Sequence, residues 1–264
     1  MTTIEGLHNF RDTGGLPLAA GGSTRPGVLY RSDALSALTP AGLDALAASD
    51  IGVIVDFRTP AERQMAPDRL PDSRAFDTVD LSILEGATAQ LAQQLLTAGG
   101  PDPALIAHAM QSLPTLGELY IGMLQHSAPA FAQVARLVAA SHDDAPTAVL
   151  VHCTAGKDRT GVATALMLYA AGTARDAVIA DYAASESNLA GPWADAMLGA
   201  ITAFGLPLTP ELETLVTRTP PAAIEQAFAW VDAEHGDAAA YLRSGGATDA
   251  ELGALRARLA DGGR

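Results

Sequence analysis

The fold is decided by the stretch from Ala148 to Ala171, which reads AVLVHCTAGKDRTGVATALMLYAA. Its first five residues form a short, mostly apolar run, which is typical of a buried parallel strand. From Gly161 onward the stretch is almost wholly apolar and is followed by Gly172, which is typical of a buried helix with a glycine stop. The stretch therefore predicts a strand, a loop that contains glycine, and a helix, in that order.

Strands and helices alternate on either side of this unit. Residues 51–57 form a second apolar run of strand length, and a capping box that joins Thr59 to Glu62 predicts a helix directly after it. Beyond residue 185 only helical patterns follow. Strands separated by helices predict an α/β fold with a small, mostly parallel sheet flanked by helices. The length is consistent with a single domain over residues 1–264.

Composition excludes several kinds of partner. The net charge of −14 argues against binding to nucleic acid, which requires a basic face. No uninterrupted run of about 18 apolar residues is present, so we expect no stable insertion into a membrane. The segment Met1–Gly6 lacks the basic start and apolar core of a secretory signal, which predicts a cytoplasmic protein or one secreted without such a signal. The sequence gives no indication of oligomeric state.

The loop between the predicted strand and helix has the features of a phosphate site. Loop amides and the first free helix amides converge there, and the helix dipole adds partial positive charge. Cys153 lies near the end of the strand and Arg159 at the start of the helix, with five residues between them. That length lets the loop curl around a tetrahedral anion, with the sulfur below it and the guanidinium on two oxygens. The amides also favour a thiolate, which can attack phosphorus.

The other loop residues are expected to bind the phosphoryl group. They are Thr154, Ala155, Gly156, Lys157 and Thr160. Thr160 follows the arginine, and its hydroxyl could stabilise the sulfur when it leaves. His152 is expected to hold the loop through hydrogen bonds. The only cysteine and the only lysine of the chain both fall in this segment, which favours a chemical role over coincidence.

Spacing excludes two other kinds of site. A nucleotide-binding Walker loop requires glycine where Val151 stands, and serine or threonine where Asp158 stands. A zinc site requires several Cys or His ligands, and this segment offers only His152 and Cys153. We therefore expect neither a metal nor another cofactor.

The string His-Cys-x-x-Gly-Lys-Asp-Arg-Thr-Gly resembles the signature of cysteine-dependent phosphatases, and more narrowly that of the bacterial tyrosine-phosphatase-like family. The resemblance implies the cysteine-phosphatase fold. It also implies a substrate that is a phosphorylated protein (phosphotyrosine or phosphoserine/threonine) or a phosphoinositide. Other segments resemble landmarks of the family and span most of residues 6–184: Asn9-Phe10-Arg11-Asp12, Arg25–Ser32, Asp56-Phe57-Arg58-Thr59 with Glu62, and Ala180-Asp181-Tyr182.

The resemblance assigns roles within the loop. Cys153 would form a phosphocysteine, and Arg159 would bind the phosphoryl group. Lys157 would add positive charge at the mouth of the pocket. The enzyme would then be a tyrosine or dual-specificity phosphatase that needs no metal.

The general acid has more than one candidate. Asp158 lies inside the loop and matches the family motif, so it is preferred. Asp80 and Asp77 follow as alternatives, because many tyrosine phosphatases take the acid from a separate loop. General acid catalysis contributes about 10²–10⁴-fold, so mutation of each aspartate would separate the candidates.

Arg31 and Arg58 each follow a predicted strand and are candidates for substrate contact, since ligands of α/β folds bind at that edge. A structural salt bridge, such as one between Arg58 and Glu62, is at least as well supported. Asp33 and Asp56 are interpreted as anchors of a loop and a strand end.

The helical region near residues 188–218 falls where a member of the family carries a two-helix lid. The resemblance therefore implies a lid over the site.

Two rival functions differ from hydrolysis. A pseudophosphatase would recognise phosphate without cleaving it, but such proteins have lost the Cys or Arg, and both are present here. A different cysteine enzyme would transfer sulfur or reduce arsenate. Arsenate reduction usually needs further cysteines, and sulfur transfer would not require the Lys-Asp-Arg-Thr string.

Overall fold

The computed structural model describes residues 3–83, 113–203 and 207–260. In this part of the chain the strands are β1 (Arg11–Asp12), β2 (Leu29–Ser32), β3 (Ile51–Asp56), β4 (Asp77–Asp80) and β5 (Ala148–His152). They form one sheet in the order β1-β2-β5-β3-β4. Only β1 pairs antiparallel, and all other neighbours are parallel. The predicted α/β fold with a small, mostly parallel sheet is confirmed.

Ten α-helices lie within the described residues. They are α1 (Pro40–Ala47), α2 (Pro60–Met65), α3 (Leu116–Ala140), α4 (Arg159–Ala171), α5 (Arg175–Asn188), α6 (Pro192–Ala203), α7 (Pro210–Thr217), α8 (Pro221–His235), α9 (Ala238–Ser244) and α10 (Asp249–Leu259). A short 3₁₀ helix covers Leu35–Ala37.

Local sequence explains where several helices begin and end. Thr59 and Glu62 form both hydrogen bonds of the predicted capping box at the start of α2. Gly172 ends α4 with a φ of 91°, a left-handed conformation that glycine adopts without steric cost. α5 begins without a side-chain cap, because Ala174 occupies the capping position and makes no side-chain hydrogen bond.

The sheet is buried on both faces. Alternate residues of the central strand β5 enter different apolar clusters, because successive side chains point to opposite faces. Val149 and Val151 pack in the large cluster that holds α3, α4 and the C-terminal helices. Leu150 packs in a smaller cluster with α1 and the 3₁₀ helix. Every residue of α4 except Tyr169 is buried, as expected for an apolar helix between the sheet and other helices.

The order of the parallel strands determines where Cys153 lies. Parallel strands end at one edge of the sheet, and ligands of such folds bind in the crevice at that edge. Cys153 follows β5 directly, so it lies at the centre of this edge, between β2 and β3.

Two helices stand in the region where a lid was predicted. α6 has no buried residue, whereas α7 buries Thr217 and packs beside α6. No helix of the described ranges combines the length and the apolar character that a membrane span requires.

Candidate active site

The loop from Cys153 to Asp158 joins β5 to α4, as the sequence predicted. Cys153 lies at its base and is buried. Gly156 has a φ of +68°, and a Cβ built on it would lie 2.2 Å from the carbonyl oxygen of Ser32. Both the backbone conformation and the close approach to β2 therefore require glycine at this position.

Three successive loop carbonyls are held from behind. The carbonyl of Thr154 accepts from the amide of Ala34 at 3.0 Å, and that of Ala155 accepts from Asn9 Nδ2 at 3.1 Å. The carbonyl of Gly156 accepts from Arg31 Nη2 at 2.9 Å. Because the N–H and C=O of a planar trans peptide point in opposite directions, these bonds turn the amides of residues 155–157 toward the other side. The loop thus presents a row of amides, which is an anion-binding concavity.

The arginine that holds Gly156 is itself held by a buried carboxylate. Arg31 Nη1 lies 2.6 Å from one oxygen of Asp181, and Arg11 Nε lies 2.7 Å from the other. Burial raises the pKa of Asp181, but the charges of Arg31 and Arg11 outweigh burial and hold this pKa below its usual value. Arg31 therefore supports the loop and does not reach for substrate as one interpretation had it.

Arg159 is oriented by Glu62. Arg159 Nη1 and Nη2 donate to the two oxygens of Glu62 at 2.8 and 2.7 Å, a bidentate pair. Thr154 Oγ1 donates to the same carboxylate at 2.7 Å. Burial raises the pKa of Glu62, but the hydrogen bonds and charge of Arg159 outweigh burial and lower it to about 2. The salt bridge between Arg58 and Glu62, which was the example for a structural role of Arg58, is therefore not the one that forms.

Asp158 lies in a chain of hydrogen bonds. Its Oδ1 accepts from Tyr120 Oη at 2.7 Å and from Lys157 Nζ at 2.9 Å. The hydroxyl of Tyr120 also lies 2.7 Å from that of Tyr182, and burial followed by the charge of Asp158 raises the pKa of Tyr120. Within the described residues Oδ2 of Asp158 has no hydrogen-bond partner, so this oxygen can contact a ligand.

The two alternative acids are placed less favourably. Asp77 begins β4, so it lies at the opposite edge of the sheet from Cys153. Asp80 ends β4 at the correct edge, but it is exposed and lies 3.4 Å from Arg63. β4 is two strands away from β5, which corresponds to about 10 Å.

The predicted position of Lys157 at the mouth of the pocket needs correction. Its side chain is only 2% exposed. The ammonium donates to the carbonyls of Leu215 and Arg218 at 2.9 and 3.1 Å, in addition to Asp158. The ammonium therefore points toward the end of α7. Its hydrogen bonds to the two carbonyls and the carboxylate offset the cost of burying its charge.

The interpretation of Arg58 as a substrate contact also needs correction. Arg58 Nη2 lies 2.8 Å from Asp56 and 2.9 Å from Asp68, and Nη1 donates to the carbonyl of Ala66. His152 Nε2 lies 3.3 Å from Asp68 as well. Asp56, Asp68 and His152 have the spacing of a metal site, but the buried guanidinium already supplies the positive charge between the two carboxylates.

The two threonines of the loop differ in exposure. Thr154 is exposed at the rim, where it bonds Glu62. Thr160 is fully buried, and its hydroxyl has no hydrogen-bond partner within the described part of the chain. Among the described residues the hydroxyls of Thr164 and Thr173 are in the same state, so the missing partner does not by itself distinguish Thr160.

Sequence reasoning missed two contributors. Tyr120 lies 38 residues before Asp158 and Asp68 lies 84 residues before His152, and neither carries a local signal. The capping box at Thr59 was a usable sign for Glu62, since it fixes that side chain at the start of a helix beside the sheet edge.

Comparisons with known proteins identify relatives of this chain. A family model described as the tyrosine phosphatase family matches residues 2–261. The chain is 33% identical over 235 residues to a tyrosine-protein phosphatase of Nostoc commune, which covers 88% of this chain and 74% of the relative. It is 30% identical over 281 residues to the triple specificity protein phosphatase PtpB of Mycobacterium tuberculosis, which covers 97% and 98% of the two chains.

Proposed function

Because this chain belongs to the tyrosine phosphatase family, we propose that it hydrolyses phosphomonoesters through a phosphocysteine on Cys153. The observation that carries the proposal is the loop above Cys153, in which three successive carbonyls accept hydrogen bonds from residues behind the loop. The resulting row of amides, at the start of α4, is complementary to three phosphoryl oxygens.

Binding uses the loop and Arg159. The amides of Ala155, Gly156 and Lys157 donate hydrogen bonds to the phosphoryl oxygens, and the guanidinium of Arg159 donates charge-assisted hydrogen bonds to them. Glu62 fixes the plane of this guanidinium before substrate arrives, so little ordering remains to be done on binding.

The first chemical step transfers the phosphoryl group to sulfur. The thiolate of Cys153 attacks phosphorus in line, an S–P bond forms, and the P–O bond to the leaving group breaks. Asp158 donates a proton to the departing oxygen, which leaves as an alcohol or phenol.

The second step releases phosphate. A water attacks the phosphocysteine while Asp158 takes one of its protons, and the S–P bond breaks. The hydroxyl of Thr160, the first residue after Arg159, donates to the departing thiolate. The scheme uses no metal, so EDTA should leave the rate unchanged.

The proposed substrates are phosphotyrosine first, then phosphoserine/threonine and phosphoinositides. The name of the relative PtpB attributes three specificities to that protein, and it covers nearly the whole of this chain. Rates with a panel of phosphopeptides and phosphoinositides would rank these classes.

The test of the mechanism is Cys153→Ser. We expect this variant to lose turnover of p-nitrophenyl phosphate while it still binds inorganic phosphate, because the amides and Arg159 remain. Full activity of the variant would disprove the phosphocysteine. A wild-type protein that binds phosphate but has no turnover on any substrate would instead be a pseudophosphatase.

A further inference from the structure

Lys157 is a buried ammonium with all of its donors in use. An ammonium has three N–H groups, and here they meet Asp158 Oδ1, the carbonyl of Leu215 and that of Arg218. Only the carboxylate carries a compensating charge. Removal of any one partner would leave a desolvated donor, so the three contacts depend on one another.

The carbonyl of Leu215 lies in the last turn of α7, and that of Arg218 belongs to the residue that directly follows the helix. The last carbonyls of a helix have no partner inside the helix, and a cation there is favoured by the helix dipole. α7 has no basic residue in its own last turn. The catalytic loop supplies the missing cation through Lys157, so the loop caps a helix that is distant in sequence.

We infer that Lys157 is a positioning residue that couples the docking of α7 to the orientation of Asp158, an inference that rests on the proposed role of Asp158 as general acid. With α7 docked, the ammonium is fixed by Leu215 and Arg218 and holds Oδ1 of Asp158 against Tyr120. Oδ2 is then the oxygen left to protonate the leaving group. When α7 undocks, Lys157 loses two of its three partners and Asp158 loses a fixed neighbour.

A second set of contacts, made by α5, holds the residues that follow α7. Glu186 in α5 accepts from the amide of Thr219 at 2.9 Å and from Arg218 Nη1 at 3.0 Å. Thr219 Oγ1 also donates to the carbonyl of Ala183 at 3.0 Å. Glu186 therefore holds the residues that follow α7, although it has no hydrogen bond or ion pair to Asp158 among the described contacts.

The leaving group distinguishes this role from a merely structural one. A general acid matters for a poor leaving group such as that of phenyl phosphate, and little for a good one such as that of 2,4-dinitrophenyl phosphate. For Lys157→Met we expect kcat/KM to fall by about 10–100-fold with phenyl phosphate, since small displacements of a catalytic group cost this much. The rate with 2,4-dinitrophenyl phosphate should change little. Arg243→Met is the matched control, because it removes one cation from an exposed surface pair.

Glu186, which holds the residues after α7, provides an independent variant. Glu186→Ala should show the same selective loss with phenyl phosphate, and it keeps the inference testable if Lys157→Met does not fold. The double variant should lose no more than the worse single variant, because both changes break one coupling. Additive losses would contradict a shared path.

The leaving-group dependence of Lys157→Met and Asp158→Asn can also contradict the inference. Equal losses of Lys157→Met with both substrates would mean that Lys157 serves phosphate binding, not the acid. Asp158→Asn serves as the reference. If it shows leaving-group selectivity and Lys157→Met does not, only the coupling fails. If Asp158→Asn itself shows none, the assignment of the acid fails.

Discussion

Replacement of Glu62 by glutamine offers a quantitative test of how the site is held together. The change keeps the size of the side chain and removes the charge that faces Arg159 in a bidentate pair. It leaves a mostly buried guanidinium with a weaker partner. The folded protein should therefore lose stability, while the unfolded chain is almost unaffected.

The magnitude follows from the pKa. The fall in the pKa of Glu62 from 4.5 to about 2 corresponds to about 3 kcal/mol, at about 1.4 kcal/mol for each pKa unit. The side chain of Glu62 is still 28% exposed, so solvent screening reduces this to about 1–3 kcal/mol. For a chain of this size we expect Tm to fall by roughly 2–10 °C at pH 7.

The stabilisation by Glu62 should depend on pH in a definite direction. A carboxyl whose pKa is lowered on folding stabilises the protein above its unfolded pKa and loses this contribution as pH falls through the folded pKa. The difference in Tm between the wild type and Glu62→Gln should thus be constant above pH 6 and shrink below about pH 4.5, toward a pH of about 2.

Thermal melts by circular dichroism at pH 7 and pH 3.5 are the assay. Glu225→Gln is the control, because it removes an exposed carboxylate from α8. Equal Tm values at pH 7, or a difference that stays the same at pH 3.5, would show that the Glu62–Arg159 pair does not stabilise the fold.

Two further predictions concern the loop. Asp158→Asn should lower kcat/KM for phenyl phosphate by about 10²–10⁴-fold, whereas Asp80→Asn should leave it close to wild type, and the reverse outcome would move the acid to β4. Gly156→Ala should lower both Tm and activity, since its Cβ would lie 2.2 Å from a carbonyl of β2 and the φ of +68° costs about 1–2 kcal/mol. Gly253→Ala, in open space on α10, should have neither effect, and an active, stable Gly156→Ala protein would contradict the loop geometry.

The local elements could be predicted because short-range rules govern them. The apolar run at 148–152 coincides with β5, and the helix predicted to end at Gly172 is α4. Pro129 lies inside α3, and the helix is kinked two residues before it, at Ser127. The Cys-to-Arg spacing could be recognised because a loop of that length has few ways to place its amides.

The partners of the charged side chains could not be predicted in the same way. Arg58 lies four residues before Glu62, yet it bonds Asp68 and leaves Glu62 to Arg159. Lys157 lies in a phosphate loop, yet its ammonium faces α7. These choices depend on which acceptors the folded chain brings near a buried cation, and sequence spacing carries no information on that.

The ties on the loop carbonyls have a consequence for biosynthesis. During translation Asn9, Arg31 and Cys153 leave the ribosome well before Asp181. The carboxylate of Asp181 neutralises Arg31, which lies behind the loop. A nascent chain that ends after α4 would hold Arg31 against the loop without its counter-ion, which is unfavourable for a buried guanidinium. We therefore expect the loop around Cys153 to adopt its final form only once α5 has emerged, so partial chains should bind cellular phosphates weakly during translation.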